Sequence, residues 1–475
     1  MNKDQLLEKI RSGAELTRRE QVLLAAALSI PAMLAQLVQI MMEYIDAAMV
    51  GTLGAQASAS IGLVSTSTWL FGGLCHSVAA GFCVQVAHQI GANRFDEARH
   101  ILRQSLLFVI AFSLLLSSVG IGIAPHLPHW LGGEDSICSD AAWYFGIFAA
   151  LLPIMIIMTL SAGMLRSSGN VKVPSILMAT ACILDVLFNW VFIFKFSMGV
   201  KGAALGTAVA YTLVAVVMAG YLLFCSKELS LSKHHDNVPL VNTSSSRQWH
   251  ILGIQFSGGT IRKWWHIAWP MATEHFVMCG AQIASTVIIA PLGTIAIAAN
   301  AFGIIVESLC YMPGHGVADA ATTLVGQSLG ARRSLLARSF AKITVILGIC
   351  VMTVMGIIMF ISAPAVMSFM TPDDAVQALT SQVLRIEAFA EPMYAAAIVC
   401  YGVFVGAGDT LIPCGMNLGS IWVVRISLAL ILTKVLGWGL VGYWIAMALE
   451  LCFRGFIFLM RLRSHSWMQK LRLTD

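Results

Sequence analysis

The sequence predicts an all-α polytopic membrane protein of twelve transmembrane helices, arranged as two six-helix bundles related by a parallel repeat. Three observations carry that prediction: a composition too apolar for water, apolar runs of bilayer length, and a second half that repeats the first. Of 475 residues, 58% are hydrophobic and 11% charged, against roughly 25% charged in soluble domains. Runs such as Leu102–Ala124 and Ile343–Ala363 match the ~20 residues a helix needs to cross a bilayer. In hydrocarbon every backbone N–H and C=O needs an internal partner, which leaves helices or closed barrels. Barrel strands alternate in polarity over about 10 residues, and these continuous runs do not.

From the N-terminus, the mixed-charge segment 1–20 has no apolar stretch ending in a small-residue cleavage site, so no cleavable signal peptide is expected. Leu6, Leu7 and Ile10 fall on one side of a surface helix, an interfacial anchor. Thr17-Arg-Arg-Glu20 reads as a capping box opening the first span. Charge clusters and Pro/Gly punctuation then divide the chain into spans at about 21–48, 57–88, 102–124, 139–165, 173–195 and 202–225. A second set follows at about 266–289, 296–327, 341–363, 378–404, 412–433 and 440–460. The domains are therefore an N-terminal bundle over 1–225, a cytoplasmic linker over 226–265 and a C-terminal bundle over 266–475. The linker carries His234-His235, a Ser run at 244–246 and Gly258-Gly259. The adjacent histidines read as solvated. The acceptor sequence Asn242-Thr-Ser has no meaning on the cytoplasmic side.

Orientation follows from lysine and arginine, of which 23 of 29 fall on one side of this layout. The positive-inside rule makes that side, with both termini, cytoplasmic. The formal net charge of +5 is explained by the same bias, so no nucleic-acid partner is expected. The eleven cysteines lie mostly inside apolar runs and none forms a C-x-x-C pair, which removes support for a zinc site or disulfide framework. There is no H-E-x-x-H pair, Walker lysine or serine elbow. An enzyme or an ATP-driven pump is not expected, nor any cofactor beyond a coupling ion.

The repeat runs at a fixed offset of 239 residues. Pro31 meets Pro270, Gly54 meets Gly293, His76 meets His315, Arg94 meets Arg333 and Arg99 meets Arg338. The register continues through Pro125/Pro364, Pro153/Pro392, Gly163/Gly402, Gly169/Gly408 and Pro174/Pro413, then slips by one to bring Gly202 to Gly442. Six spans per half is an even number, so both halves enter the membrane in the same direction. That defines a parallel repeat about an axis along the membrane normal, an architecture suited to alternating access.

Ionisable groups at membrane depth cost about 3 kcal/mol each on insertion scales and mark candidate sites. Asp46 sits deep in span 1, with Glu43 three residues earlier on the same face. Such a carboxylate pair shares a proton or holds a cation; the plainer reading is a hydrogen-bonded kink near Gly51. Span 5 offers Asp185 and Asn189 one turn apart. Glu307 and Asp319 in span 8, and Glu387 and Glu391 in span 10, either line a C-terminal cavity or form interhelical hydrogen bonds. His76 and His315, at equivalent positions, read mainly as packing residues, with a pH-responsive role as the alternative. Arg425 calls for a structural ion pair, and Glu450 with Arg454 forms an i,i+4 pair.

Asp46-Ala-Ala-Met-Val-Gly-Thr-Leu-Gly54 followed by Gln89-Ile-Gly-Ala92 resembles the multidrug and toxic compound extrusion (MATE) family. Ala290-Pro-Leu-Gly293 and Leu324-Val-Gly-Gln-Ser-Leu-Gly-Ala331 repeat the signature, joined by Gly199-Val-Lys-Gly202, Gly406-Ala-Gly-Asp-Thr410 and Arg425. The likeness covers nearly the whole chain except the 226–265 loop. It implies antiport across a bacterial inner membrane by a monomer, with H+ or Na+ running inward while small organic, cationic compounds leave. It also matches Thr207 to a family hydroxyl, giving Asp46, Asp185, Asn189 and Thr207 as an all-oxygen set suited to Na+ or proton exchange. This chain departs from the pattern in two places. The usual Asn-before-Asp order of span 5 is exchanged, and Glu274 comes only one turn after Pro270 while Tyr394 stands where some members have an Asp. Glu274 and Tyr394 are thus candidates only for lining a C-terminal cavity. The alternative is a flippase of the same superfamily, which would need a cationic cavity that the many intramembrane carboxylates disfavour.

Overall fold

The computed structural model describes residues 3–231, 248–251, 254–464 and 466–468. His234, His235 and 242–246 lie outside the described residues. The order is α1 (Lys3–Ser12), α2 (Arg18–Gly51), α3 (Ala55–Gly91), α4 (Phe95–Ile123), α5 (Leu127–Trp130), α6 (Asp135–Ser167), α7 (Lys172–Trp190) and α8 (Gly199–Gly220). An antiparallel pair, β1 (Gln248–Ile251) and β2 (Ile254–Ser257), follows. Then come α9 (Gly258–Ile289), α10 (Thr294–Gly330), α11 (Ser334–Met370), α12 (Asp374–Ala388), α13 (Glu391–Gly406), α14 (Leu411–Gly419), α15 (Ile426–Leu430) and α16 (Gly439–Arg463).

Ten of the described helical spans are long and apolar enough to cross a membrane, and α12 with α13 forms an eleventh path bent by 58°. The twelfth expected span is α16, 25 residues long with Glu450 and Arg454 inside it. Span 10, expected as one helix over 378–404, is broken because Pro392 has no N–H to give the preceding turn. Phe389 and Ala390 instead donate three residues back, to Ile386 at 3.3 Å and Glu387 at 2.8 Å. The helix of span 7 starts at Gly258, ahead of the expected 266. Its apolar face begins early, since Trp264 stacks on Phe82 and donates from Nε1 to the Val78 carbonyl at 3.0 Å.

The repeat is written into the backbone. Left-handed φ recurs at Gly54 and Gly293, Asn93 and Arg332, and Gly169 and Gly408, all 239 residues apart. Ser197 and Gly437, then Gly199 and Gly439, recur at 240. The extra residue has a local cause. Ser420–Arg425 is a π-helical segment, whereas the matching stretch of α7 is ordinary α-helix. A π-bulge is one residue inserted into a helix. Beyond it the π-helical ends Val191–Lys195 and Ile431–Val435 match at 240.

The chain forms two compact units. The N-terminal unit is Val38–Ala272 with Gly330–Arg332; the C-terminal unit is Met1–Leu37, Thr273–Leu329 and Arg333–Asp475. In the N-terminal unit the core gathers Phe71, Phe82, Phe145, Leu152 and Met164. In the C-terminal unit Trp444, Met359 and Met367 form one core, and Phe404, Phe458 and Trp467 another. Lipid tails are as apolar as leucine, so close packing rather than water exclusion holds such helices together. Gly163 and its repeat mate Gly402 show how: a Cβ at either would lie 2.5 Å from Cys83 Sγ or 2.6 Å from the Ala318 carbonyl. In the same C-terminal unit α1 buries Leu6, Leu7 and Ile10. The capping box forms, with Glu20 N–H donating to Thr17 Oγ1 at 3.3 Å and Thr17 N–H to Glu20 Oε2 at 2.9 Å.

Candidate functional site

In the N-terminal unit, α2, α7 and α8 bring four oxygen-bearing side chains together. Asn189 lies on the last turn of α7, and its Nδ2 donates to Asp46 Oδ1 at 2.9 Å and to Asp185 Oδ2 at 3.2 Å. One amide therefore bridges two carboxylates from different helices. The Asp46 carboxyl and the Thr207 hydroxyl both stand within electrostatic range of Asp185, the hydroxyl donating to the Ala203 carbonyl at 3.2 Å. Asp185 is 0% and Asn189 1% exposed. Two oxygens in this group, Asp185 Oδ1 and Asn189 Oδ1, are buried without a hydrogen-bond partner. Unpaired buried acceptors are costly, by about 1–3 kcal/mol each. Glu43 reaches Gln39 on its own helix and stands within electrostatic range of Asp46.

Close approach of α7 and α8 makes this geometry. A Cβ on Gly206 would fall 2.0 Å from Asn189 Oδ1, and one on Gly202 2.9 Å from the Phe192 carbonyl carbon. Gly202 and Gly206 are a small-xxx-small pair, the spacing that lets two helix backbones meet in a membrane. Residue-type reasoning missed Gly206, although that spacing was available. It also missed Tyr144 of α6 and Tyr211 of α8, whose hydroxyls stand within electrostatic range of Asp46, Asp185 and Glu43.

In the C-terminal unit Glu274 of α9 is held at both oxygens. Tyr401 of α13 donates to Oε2 at 2.6 Å and Asn417 of α14 donates to Oε1 at 2.5 Å. Arg425, set by the π-bulge, finds its partner in Glu450, with Nε at 3.1 Å and Nη2 at 2.7 Å from Oε2. Arg454 donates to Glu450 from Nε and Nη2, both at 2.8 Å, and Ser420 adds a bond of 2.5 Å. Glu307 on α10 and Glu387 and Glu391 beside the span-10 break are buried nearby, with Tyr394 under the Arg454 guanidinium at 5.7 Å. Asp319 is half-buried on α10, one turn before Thr323, whose hydroxyl donates to its carbonyl at 3.1 Å. His76 and His315 are exposed rather than packed, His315 standing edge-on to Tyr311. Asp409 of the Gly406–Thr410 loop is buried and paired with Arg461. A groove of about 800 Å³ between α12 and α16 is lined by Ser381, Arg385, Phe389, Leu449 and Cys452 among others. Among the described residues no trio of His, Cys, Asp and Glu is set to hold a metal ion.

Repeated helical units with carboxylates buried at membrane depth define the class, a polytopic membrane transporter built on a parallel repeat. The chain belongs to the MATE family: residues 31–191 and 270–431 each match the family described as MatE. Those two blocks start 239 residues apart and end 240 apart, the same registers seen in the backbone. A probable multidrug resistance protein NorM of Thermotoga maritima is 28% identical over 457 residues, covering 94% of this chain and 93% of that protein. A protein of the same description from Halalkalibacterium halodurans is 24% identical, covering 91% and 92%. Among solved structures, a MOP superfamily transporter from Pyrococcus furiosus superposes with a TM-score of 0.86 at 17% identity, covering 96% of this chain and 97% of that one. An outward-facing multidrug resistance MATE transporter gives 0.86 at 18%, covering 97% and 98%. At such identities these structures bear on the fold. The chain is a multi-pass MATE transporter.

Proposed function

We propose that this protein is a cation-coupled exporter, taking H+ or Na+ inward through the Asp46 site while an organic, cationic compound leaves by alternating access. The single observation that carries the reading is the Asn189 amide bridging Asp46 and Asp185, with two buried oxygens beside it still unpartnered. A proton or a monovalent ion supplies the positive charge this group lacks. Thr207 and the two unpartnered oxygens are hard donors of the kind Na+ takes. Cationic cargo is favoured because the buried arginines 425 and 454 both bond Glu450, and the other buried glutamates, 307, 387 and 391, outnumber the one positive charge left over.

For coupling, the loaded and empty sites must favour different conformations, since only differential affinity shifts an equilibrium. We assign the protein to a bacterial inner membrane as a monomer, on the family likeness, with both termini in the cytoplasm on the lysine and arginine distribution. Transport rather than catalysis is its proposed activity. The test is ion flux in proteoliposomes carrying the purified protein, with and without ethidium. Ethidium-dependent proton or sodium movement supports the reading. No flux with a panel of organic cations, together with translocation of a labelled lipid, would replace it with a flippase.

A further inference from the structure

The break in span 10 places two carboxyl groups that the Asp46 site does not use. Glu387 lies in the last turn of α12 and Glu391 is the first residue of α13. Both are 0% exposed, and all four of their carboxyl oxygens are buried without a hydrogen-bond partner. No other side chains in the protein leave both oxygens so placed among the described residues. On α11, Gly356 makes room for Glu391: a Cβ there would lie 3.2 Å from Glu391 Cβ and 3.1 Å from the Ala388 carbonyl oxygen.

The groups facing this pair come from every neighbouring element. Glu307 of α10 acts on both glutamates, and Cys310 of the same helix looks onto Glu307 and Glu391. Arg425 of the π-helical segment and Glu450 of α16 act on Glu387, and Cys452 of α16 faces it. Tyr394 of α13 stands near Glu307, Glu391, Arg425 and Arg454. The charges do not balance. Four acids, Glu307, Glu387, Glu391 and Glu450, stand against two bases, Arg425 and Arg454, and both bases spend their donors on Glu450. Buried charges must be paired; with Glu450 matched, one positive charge remains for Glu307, Glu387 and Glu391, so the three cannot all be ionised. The neighbouring ligands do not form a metal cage among the described residues. The proton is the cation that needs no cage.

We propose that the α12/α13 break is a second proton-loading site, in which Glu387 and Glu391, with Glu307 as the third member, take up protons independently of Asp46. Each uptake is a proton transfer from water to a carboxylate oxygen, with no other bond made or broken. The site straddles a 58° bend between α12 and α13, so loading changes the charge at the point where that span changes direction. Its role in transport rests on the proton arm of the coupling reading; its existence does not.

The test is infrared spectroscopy of the purified protein during a pH titration, with the carboxylic-acid C=O stretch as readout. Wild type is expected to show a band that each of Glu387→Gln and Glu391→Gln removes in part and the double variant removes further, while Asp46→Asn leaves that component in place. An unchanged band in the double variant overturns the proposal. Loss of the wild-type band on adding Na+ at fixed pH also overturns it, in favour of a sodium site. Thermal unfolding covers the case of poor folding. The glutamine variants should melt no lower than wild type, whereas Glu450→Gln should melt well below it; glutamine variants that fall as far as Glu450→Gln would make the pair structural and overturn the proposal. A band that behaves as expected in a protein without gradient-driven export would refute the coupling reading and leave this site standing.

Discussion

Gly206→Ala isolates the geometry of the Asp46 site without touching a charged residue. The new methyl would lie 2.0 Å from Asn189 Oδ1 and 2.7 Å from the Asn189 backbone nitrogen, where ordinary contact begins at 3.4 Å. The shortfall to the oxygen is 1.4 Å (3.4 less 2.0). A side-chain rotation cannot relieve it alone, because the second clash is with backbone. Either α8 moves off α7 or the amide leaves its place between the carboxylates. The first route is overpacking, at about 1–3 kcal/mol. The second gives up two hydrogen bonds to charged acceptors, at about 1.5–3 kcal/mol each. A loss of about 2–4 kcal/mol is expected, offset by about 1 kcal/mol from the better helix propensity of alanine. Gly220→Ala on the same helix is the control, because nothing lies within 4 Å of its Cβ position. Thermal unfolding in detergent should show a clear drop for Gly206→Ala and none for Gly220→Ala, and gradient-driven dye efflux should fall only in the former. Equal melting and equal efflux for the two variants would refute this account of the site.

Other outcomes follow from the same contacts. Glu450→Gln leaves Arg425 and Arg454 buried against a neutral partner and should cost about 3–5 kcal/mol, read as loss of folded protein on heating; a wild-type melt would contradict it. Tyr401→Phe removes one of the two donors to Glu274 and should cost about 1–3 kcal/mol, while Asn417→Asp, which sets a second carboxylate against Glu274, should be worse. Arg461→Ala removes the ion-pair partner of the buried Asp409 carboxylate and should lower the melting temperature; Arg461→Ala/Asp409→Asn should recover part of the stability, measured as a double-mutant cycle.

Much of the fold was legible because its punctuation is. Prolines 31 and 270, the glycines of the turns, and Arg94 and Arg333 recur at one spacing, and the structure returns the glycine pairs 54/293 and 169/408 as left-handed backbone. The one-residue slip after Pro413 was visible as a number, but its cause was not. A π-bulge at Ser420–Arg425 has no composition signal, since its residues suit an α-helix equally well. The break in span 10 escaped for a similar reason. Pro153 sits inside the continuous helix α6, yet its mate Pro392 opens α13, so proline alone does not say which span breaks. Asp46, Asp185 and Asn189 stood out because polar groups in apolar runs need a reason. What the pattern left open was the partnership: Asp46 faces the Asp185–Asn189 turn across helices, while its same-face neighbour Glu43 turns to Gln39. Gly206 was silent because its contribution is the absence of a side chain.

The most direct test of the central claim is dye efflux from proteoliposomes driven by an imposed proton or sodium gradient, comparing wild type with Asp46→Asn and Asp185→Asn. The account predicts that the gradient accelerates efflux in wild type, and that both variants stay folded but lose the acceleration. Gradient-driven efflux at the wild-type rate in Asp46→Asn would contradict it.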